Sequence, residues 1–137
     1  MDPHHEIAPH VSVVVFSCDR KESLVRCLTS LSRIEYPNVS VLIVDNGSTS
    51  YVPSAVESMF EGVHLIENDG YPKAARGKNA ALRRLLGTTR TDFILLLEDD
   101  AVVHPRMVRH LVETYDPQRG RDIIQPAIYE LEDPEKL

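Results

Sequence analysis

Short, apolar, β-branched runs alternate along this chain with segments whose apolar residues recur at helical spacing, and few folds accommodate that order. Val11–Phe16 reads VSVVVF, Val39–Val44 reads VSVLIV, Val63–Ile66 reads VHLI and Asp92–Leu97 reads DFILLL. Runs of this length with so little polar interruption are how strands read when both faces are covered, as in a parallel sheet. Between them the period changes. From Arg20 to Arg33, Leu24, Val25, Cys27, Leu28 and Leu31 make one helical stripe. Asp19 and Glu22 have the spacing of a capping box that starts this helix at Arg20. Tyr36-Pro37-Asn38 breaks the chain before the second run. Pro53 suits the first turn of a short helix reaching Met59. Lys73–Leu86 carries Ala74, Ala81, Leu82, Leu85 and Leu86 and meets Gly87, a helix stop. Another helix follows Pro105, with Met107, Val108, Leu111, Val112 and Tyr115 along one side, and Asp122–Tyr129 is expected to be a fifth strand.

This alternation predicts an α/β fold, a mostly parallel sheet with helices on both faces. The 137 residues suffice for one domain. It is expected to span 11–129, between a flexible N-terminal segment, 1–10, and a charged tail, 130–137. Fifteen Lys and Arg against 21 Asp and Glu leave a net charge of −6, the wrong balance for a general nucleic-acid binder. The apolar runs are far too short for a transmembrane segment, and Met1-Asp2-Pro3-His4-His5 lacks the apolar core of a signal peptide. Cys18 and Cys27 are too few for a disulfide framework or a structural zinc site. The expected setting is cytoplasmic.

In sheets of this kind ligands bind beyond the carboxyl ends of the strands, and three of those ends are polar. Ser17-Cys18-Asp19-Arg20 follows the first run, Asp45-Asn46-Gly47-Ser48 the second and Glu98-Asp99-Asp100 the fourth. Three successive carboxylates repel one another unless a cation compensates. Mg²⁺ and Mn²⁺ are hard ions suited to that role, the alternative being a solvated acidic turn ahead of the Pro105 helix. Between Pro72 and Arg90 the charge inverts: Lys73, Arg76, Lys78, Arg83, Arg84 and Arg90 occur with no acid among them. An anion could sit there, and Arg76 and Lys78 fall near the helix's first turn, where backbone N–H groups favour phosphate. The alternative is a solvated basic face, to which Arg83 and Arg84 are assigned. Asp45 either hydrogen-bonds a ribose or base edge, or closes a turn in which Gly47 takes positive φ.

Val11-Ser12-Val13-Val14-Val15 with its polar loop resembles the opening strand of the family 2 glycosyltransferases, which have the GT-A fold. Val44-Asp45-Asn46-Gly47-Ser48-Thr49 is close to a signature of that family, and Gly77-Lys78-Asn79-Ala80-Ala81-Leu82 is similar to its Gly-Lys-x-x-Ala-Leu stretch. Leu97-Glu98-Asp99-Asp100-Ala101-Val102-Val103-His104-Pro105 resembles the family's Asp-x-Asp metal motif and the helix after it. The four segments agree in order and spacing over residues 11–115. The resemblance implies a nucleoside-diphosphate sugar, commonly a UDP-sugar, with a divalent metal (Mn²⁺ or Mg²⁺) on its diphosphate. It also implies transfer of the sugar, with inversion, to an acceptor the residues do not identify. Carried over position by position, Ser17 and Asp45 would face the nucleoside, Asp45 at the base, with Asp19 in the same donor-binding set. Asp99 would approach the ribose, Asp100 with Glu98 would ligate the metal, and Arg76 or Lys78 would neutralise phosphate.

The chain departs from the family in three places. Phe16-Ser17-Cys18-Asp19 stands where Pro-Thr-Tyr-Asn is usual, and Glu98 replaces the first acid of Asp-x-Asp. Family catalytic domains also continue beyond the metal motif into an acceptor-binding half that supplies the general base. Here the chain stops at Leu137, and Glu130, Glu132, Asp133 and Glu135 read as a solvated tail. A non-catalytic or partner-dependent sugar-nucleotide-binding module is therefore the rival. A nucleotidyltransferase is a weaker one, since it would show a Gly-rich loop after the first strand. A sheet cut after its fifth strand would leave an open edge near Asp122–Leu131, with Ile123, Ile124, Ile128 and Leu131 apolar and Pro126 favouring an edge. Self-association or docking on a partner chain is the expectation there.

Overall fold

The computed structural model describes residues 7–68, 74–88, 90–119 and 123–129. Four strands, β1 (Val11–Ser17), β2 (Val39–Asp45), β3 (Val63–Glu67) and β4 (Phe93–Glu98), alternate with four helices. These are α1 (Lys21–Leu31), α2 (Pro53–Glu57), α3 (Ala74–Thr88) and α4 (Met107–Thr114), and one 3-10 turn, Pro117–Arg119, comes after them. All strand pairs are parallel, in the order β3-β2-β1-β4. The chain steps outward from β1 to β3, then returns to the other side of β1 for β4. The direction of winding therefore reverses at β1, the point where sheets of this kind open a crevice. Register brings the polar ends level: Ser17 lies beside Asp45, and Phe16 beside Glu98.

Every residue of β1 is buried, which explains its unbroken apolar run. Val11, Val13 and Val15, with Ile43, pack on Leu24, Cys27 and Leu28 of α1, Val56 of α2 and Val108 of α4. On the other face Val14, Phe16, Leu42 and Val44 meet Ala81 and Leu85 of α3. Each large side chain removed from water this way contributes about 1.5–3 kcal/mol. Ser12, the polar exception inside β1, lies within hydrogen-bond distance of Ser40 Oγ at 3.4 Å. Phe93, Leu95 and Leu97 of β4 join the first cluster, and Phe93 meets Tyr115 edge-to-face at 5.0 Å. Leu96 points to the α3 side and stays 46% exposed.

Three expectations need correction. Residues 123–129 are irregular and not a fifth strand. Ile123 and Ile128 are exposed, whereas Ile124 lines a groove of about 310 Å³ with Phe93, Leu95, Val108, Leu111 and Tyr115. Pro126 supplies the physical reason, because it removes a ladder donor in the middle of the segment. Among the described residues β4 is thus one edge of the sheet and β3 the other. Secondly, Asp19 does not cap α1: Arg20 occupies the N-cap without any side-chain cap bond, and Asp19 takes a positive φ of 52°. Its carboxylate is engaged by the loop after β2 instead. Thirdly, α3 runs through Gly87 to Thr88, since a glycine permits a helix to end without forcing it to. Asp122, Leu131, Lys73, residues 1–6 and the expected tail, 130–137, lie outside the described residues.

Candidate functional site

The loops after β1, β2 and β4 meet at the carboxyl end of the sheet. Asp99 is the centre of the contacts on the β1/β4 side. Its backbone N–H donates to Phe16 O at 3.1 Å, which extends the β1–β4 ladder one step past the strand. That step turns its side chain inward, where it is 3% exposed. Ser17 Oγ donates to Asp99 Oδ2 at 2.9 Å, and Arg20 Nη1 lies 3.2 Å from Oδ1. The second arm of the same guanidinium, Nη2, reaches Asp100 Oδ2 at 3.4 Å. Glu98 turns the other way, with Oε1 3.7 Å from Lys78 Nζ, and that ammonium sits 5.3 Å over the Phe16 ring. The three acids thus diverge, and the chain's own cations offset the repulsion expected of the triplet. Among the described residues no group of three or more His, Cys, Asp or Glu converges into a metal cage.

The loop after β2 is organised differently. Asp45, 2% exposed, accepts the backbone N–H groups of Gly47 (3.1 Å) and Ser48 (2.8 Å) on Oδ2, and the Ser48 hydroxyl on Oδ1. Gly47 has a φ of 90°. Of the two roles open to Asp45 in the sequence, this geometry displays the turn-closing one. Ser48 Oγ in turn accepts the N–H of Asp19 at 2.8 Å. Asp19 Oδ1 then accepts the N–H groups of Thr49 and Ser50, both at 2.7 Å, which stitches the first loop onto the second. Those bonds, that from the Ser50 backbone foremost, hold the Asp19 carboxyl below the usual carboxylate range.

Asn46 closes the gap between the loops and α3. Its N–H donates to Ser17 O at 2.9 Å, and its Oδ1 accepts from Asn68 Nδ2 at 3.3 Å. Gly77 of α3 lies directly against it: a Cβ there would collide with Asn46 Oδ1 and come within 3.1 Å of Val44 Cγ1. The Gly-Lys pair of the third motif therefore has a steric meaning. Glycine lets the helix approach the loop, and Lys78 follows it toward Glu98. Cys18 is exposed beside Asn46 O at 3.5 Å. Desolvation, then Asp19, Asp45 and Asp99, raise its thiol pKa, which disfavours a nucleophilic thiolate.

The structure thus gathers Ser17, Asp99 and Asp100 into one cluster, Glu98 and Lys78 into a second and Asp19 with Asp45 into a third. Arg76 falls in the first turn of α3, with its side chain outside the described residues. Arg20 and Ser48 were not singled out from sequence. Arg20 carried a usable signal, a cation directly after the first strand at strand ends otherwise rich in acids. A buried carboxylate beside a half-exposed one, with cations at hand, is chemically suited to a hard cation and a diphosphate.

The profile of glycosyl transferase family 2 matches residues 12–136. The beta-monoglucosyldiacylglycerol synthase of Nostoc sp. is 25% identical over 116 residues, covering 81% of this chain and 24% of that protein. The succinoglycan biosynthesis protein ExoO of Rhizobium meliloti is 29% identical over 115 residues, covering 83% and 32%. The chain thus spans about a quarter to a third of the length of these curated relatives. Among solved structures, the mannosyltransferase PcManGT of Pyrobaculum calidifontis, in complex with GDP-Man and Mn²⁺, superposes with a TM-score of 0.69 at 24% identity, covering 80% of this chain and 33% of that one. S. aureus TarS 1–349 in complex with UDP also superposes at 0.69, with 18% identity and coverage of 85% and 38%. Both show the same fold.

Proposed function

The chain belongs to glycosyl transferase family 2, and from that premise we propose that it binds a nucleoside-diphosphate sugar in the crevice beyond β1, β2 and β4 as the donor-binding part of a glycosyltransferase. The observation that carries this is the cluster Ser17–Asp99–Arg20–Asp100, set where the winding of the sheet reverses. The structures of the same fold solved with GDP-Man and Mn²⁺, and with UDP, support a nucleotide donor and a divalent metal.

The residues fit Mn²⁺ or Mg²⁺ as ions that take one or two carboxylates and complete their shell with phosphate and water. Asp100 is 57% exposed and held through one oxygen only among the described contacts, so it can turn to such an ion. Asp100 would hold the metal with Glu98 beside it, and the bound cation would neutralise charge developing on the departing diphosphate. Lys78, or Arg76 two residues before it in the same helix, would neutralise the phosphates. Asp99 and Ser17 would border the ribose. Asp45, by shaping its loop, and Asp19, by tying the loops together, would hold the wall against which a uracil or another base rests.

Transfer would follow attack of an acceptor hydroxyl on the anomeric carbon with inversion. The names of the relatives, a monoglucosyldiacylglycerol synthase and a succinoglycan biosynthesis protein, support a lipid or glycan hydroxyl as the acceptor. No described helix is long and apolar enough to cross a membrane, and the free Cys18 and Cys27 suit a reducing, cytoplasmic setting. Titration calorimetry with UDP-glucose, UDP-N-acetylglucosamine and GDP-mannose, each with and without Mn²⁺, tests the proposal. Metal-dependent binding of at least one donor is expected, and no binding of any of them would overturn it. Donor hydrolysis without acceptor would separate a transferase from a module that only binds.

A further inference from the structure

We propose that Arg20 is the internal counter-ion of the metal site, and that a divalent cation binds by displacing it from Asp100. The inference rests on the proposal that Asp100 is the metal ligand. Arg20 occupies the N-cap of α1 without capping it, and its guanidinium spans two successive acids. The two halves of that bridge are unequal. Asp99 is 3% exposed, so its charge must be compensated inside the fold, and Arg20 with Ser17 does so at 3.2 and 2.9 Å. Asp100 is 57% exposed and the contact is longer, 3.4 Å, so this half is screened by water and weak.

Unequal halves make an exchangeable contact with a fixed anchor. A metal ion and a guanidinium, both positive, repel each other and compete for the charge of one carboxylate. An ion that takes both oxygens of Asp100 therefore displaces Nη2 from Oδ2, whereas Nη1 can remain on Asp99. Lys78 performs the matching service for Glu98 at 3.7 Å. Arg20 and Lys78 thus offset two of the three negative charges at the end of β4, which lowers the repulsion among the acids and leaves charge for a cation to compensate.

The test is a titration of Mn²⁺ alone, with free ion counted by electron paramagnetic resonance, against the parent chain, Arg20→Gln, Arg20→Lys and Asp100→Asn. Arg20→Gln is expected to bind Mn²⁺ about tenfold more tightly, the scale of one charge-assisted contact removed from competition. Arg20→Lys keeps the charge on Asp99 but lacks the second arm, so it should fall between the two and covers the case in which Arg20→Gln fails to fold. Asp100→Asn should lose the site. If Asp100→Asn loses Mn²⁺ but both Arg20 variants bind as the parent does or more weakly, Asp100 stands as the ligand and the counter-ion role is overturned. If Asp100→Asn binds Mn²⁺ as the parent does, the metal assignment itself falls and takes this inference with it.

Discussion

Asp45 and Asp99 are both buried carboxylates at strand ends, yet they are satisfied by different kinds of partner. Asp45 is held by its own turn, Asp99 by Ser17 and Arg20 from another part of the chain. Removing the Ser17 hydroxyl leaves Asp99 Oδ2 without its donor, so Ser17→Ala should lower stability by about 1–3 kcal/mol, read from urea denaturation. Asp100, exposed and weakly held, behaves oppositely: Asp100→Ala should leave the melting curve in place and abolish metal-dependent nucleotide binding. A variant that still binds the donor in Mn²⁺ as the parent does would remove Asp100 from the site. Asp19 gives a pH signature. Its carboxyl is held low by the N–H groups of Ser50 and Thr49. The stitch between loops is therefore fully present above the ordinary carboxylate pKa and is lost only as pH falls through the lower folded value. The amide shifts of Thr49 and Ser50 should stay constant through mild acid and move together below it. Cys27 titrates at the other extreme, its thiol pushed up to about 12 by burial first and then by Asp99 and Asp100. The unfolded thiol ionises near 9 and the folded one does not, so this contribution is present at neutral pH and lost between about 9 and 12. A thiol reagent near neutral pH should label Cys18 in the folded chain and reach Cys27 only on unfolding.

Among the elements, α3 is the one whose position a single atom decides. Gly77→Ala gains helix propensity of up to about 1 kcal/mol but drives a methyl group into Asn46 Oδ1 and against Val44. Asn46 must turn away from Asn68, or α3 must shift off β2. A net loss of about 1–3 kcal/mol is expected, and Asn46→Ala in the same chain should restore most of it. The four strands were legible in sequence nearly to the residue, because β1 and the inner half of β2 are buried and are apolar but for Ser12 and their polar carboxyl ends. The helix stripes were legible for the same reason of burial. What escaped was whatever a distant partner decides. Asp19 has the spacing of a cap, but two N–H donors some thirty residues away engage its carboxylate instead. Ile123, Ile124 and Ile128 read as strand whether or not a neighbour exists to pair with them. Arg20 gains its role only when Asp99 and Asp100, about eighty residues on, arrive beside it.

At the scale of the whole molecule, β4 is one of the two edges of the sheet among the described residues. Its outer edge has no strand partner among the described residues, Leu96 is open to water, and only Ile124 reaches the groove beside it. An edge of that kind pairs readily with a second copy. Light scattering at micromolar concentration should show a mass that rises with concentration, and Leu96→Lys should return it to the monomer value. A monomer at every concentration would mean that the irregular segment after α4 is cover enough. The pairing of β1 with β4 has another consequence, one that concerns the order of events rather than their outcome. Ser17 and Asp99 are 82 residues apart in the chain, so the loop that joins them is among the widest the fold has to close, and closures of that width are slow compared with neighbouring contacts. The acids travel on the strand that must make this journey. During synthesis β1, β2 and β3 leave the ribosome well before Asp99 and Asp100 exist to meet them. A chain in which β4 has not yet joined β1 therefore lacks the Ser17–Asp99–Arg20–Asp100 cluster, and on the proposed function it gains the capacity for its donor in the same step that completes the sheet.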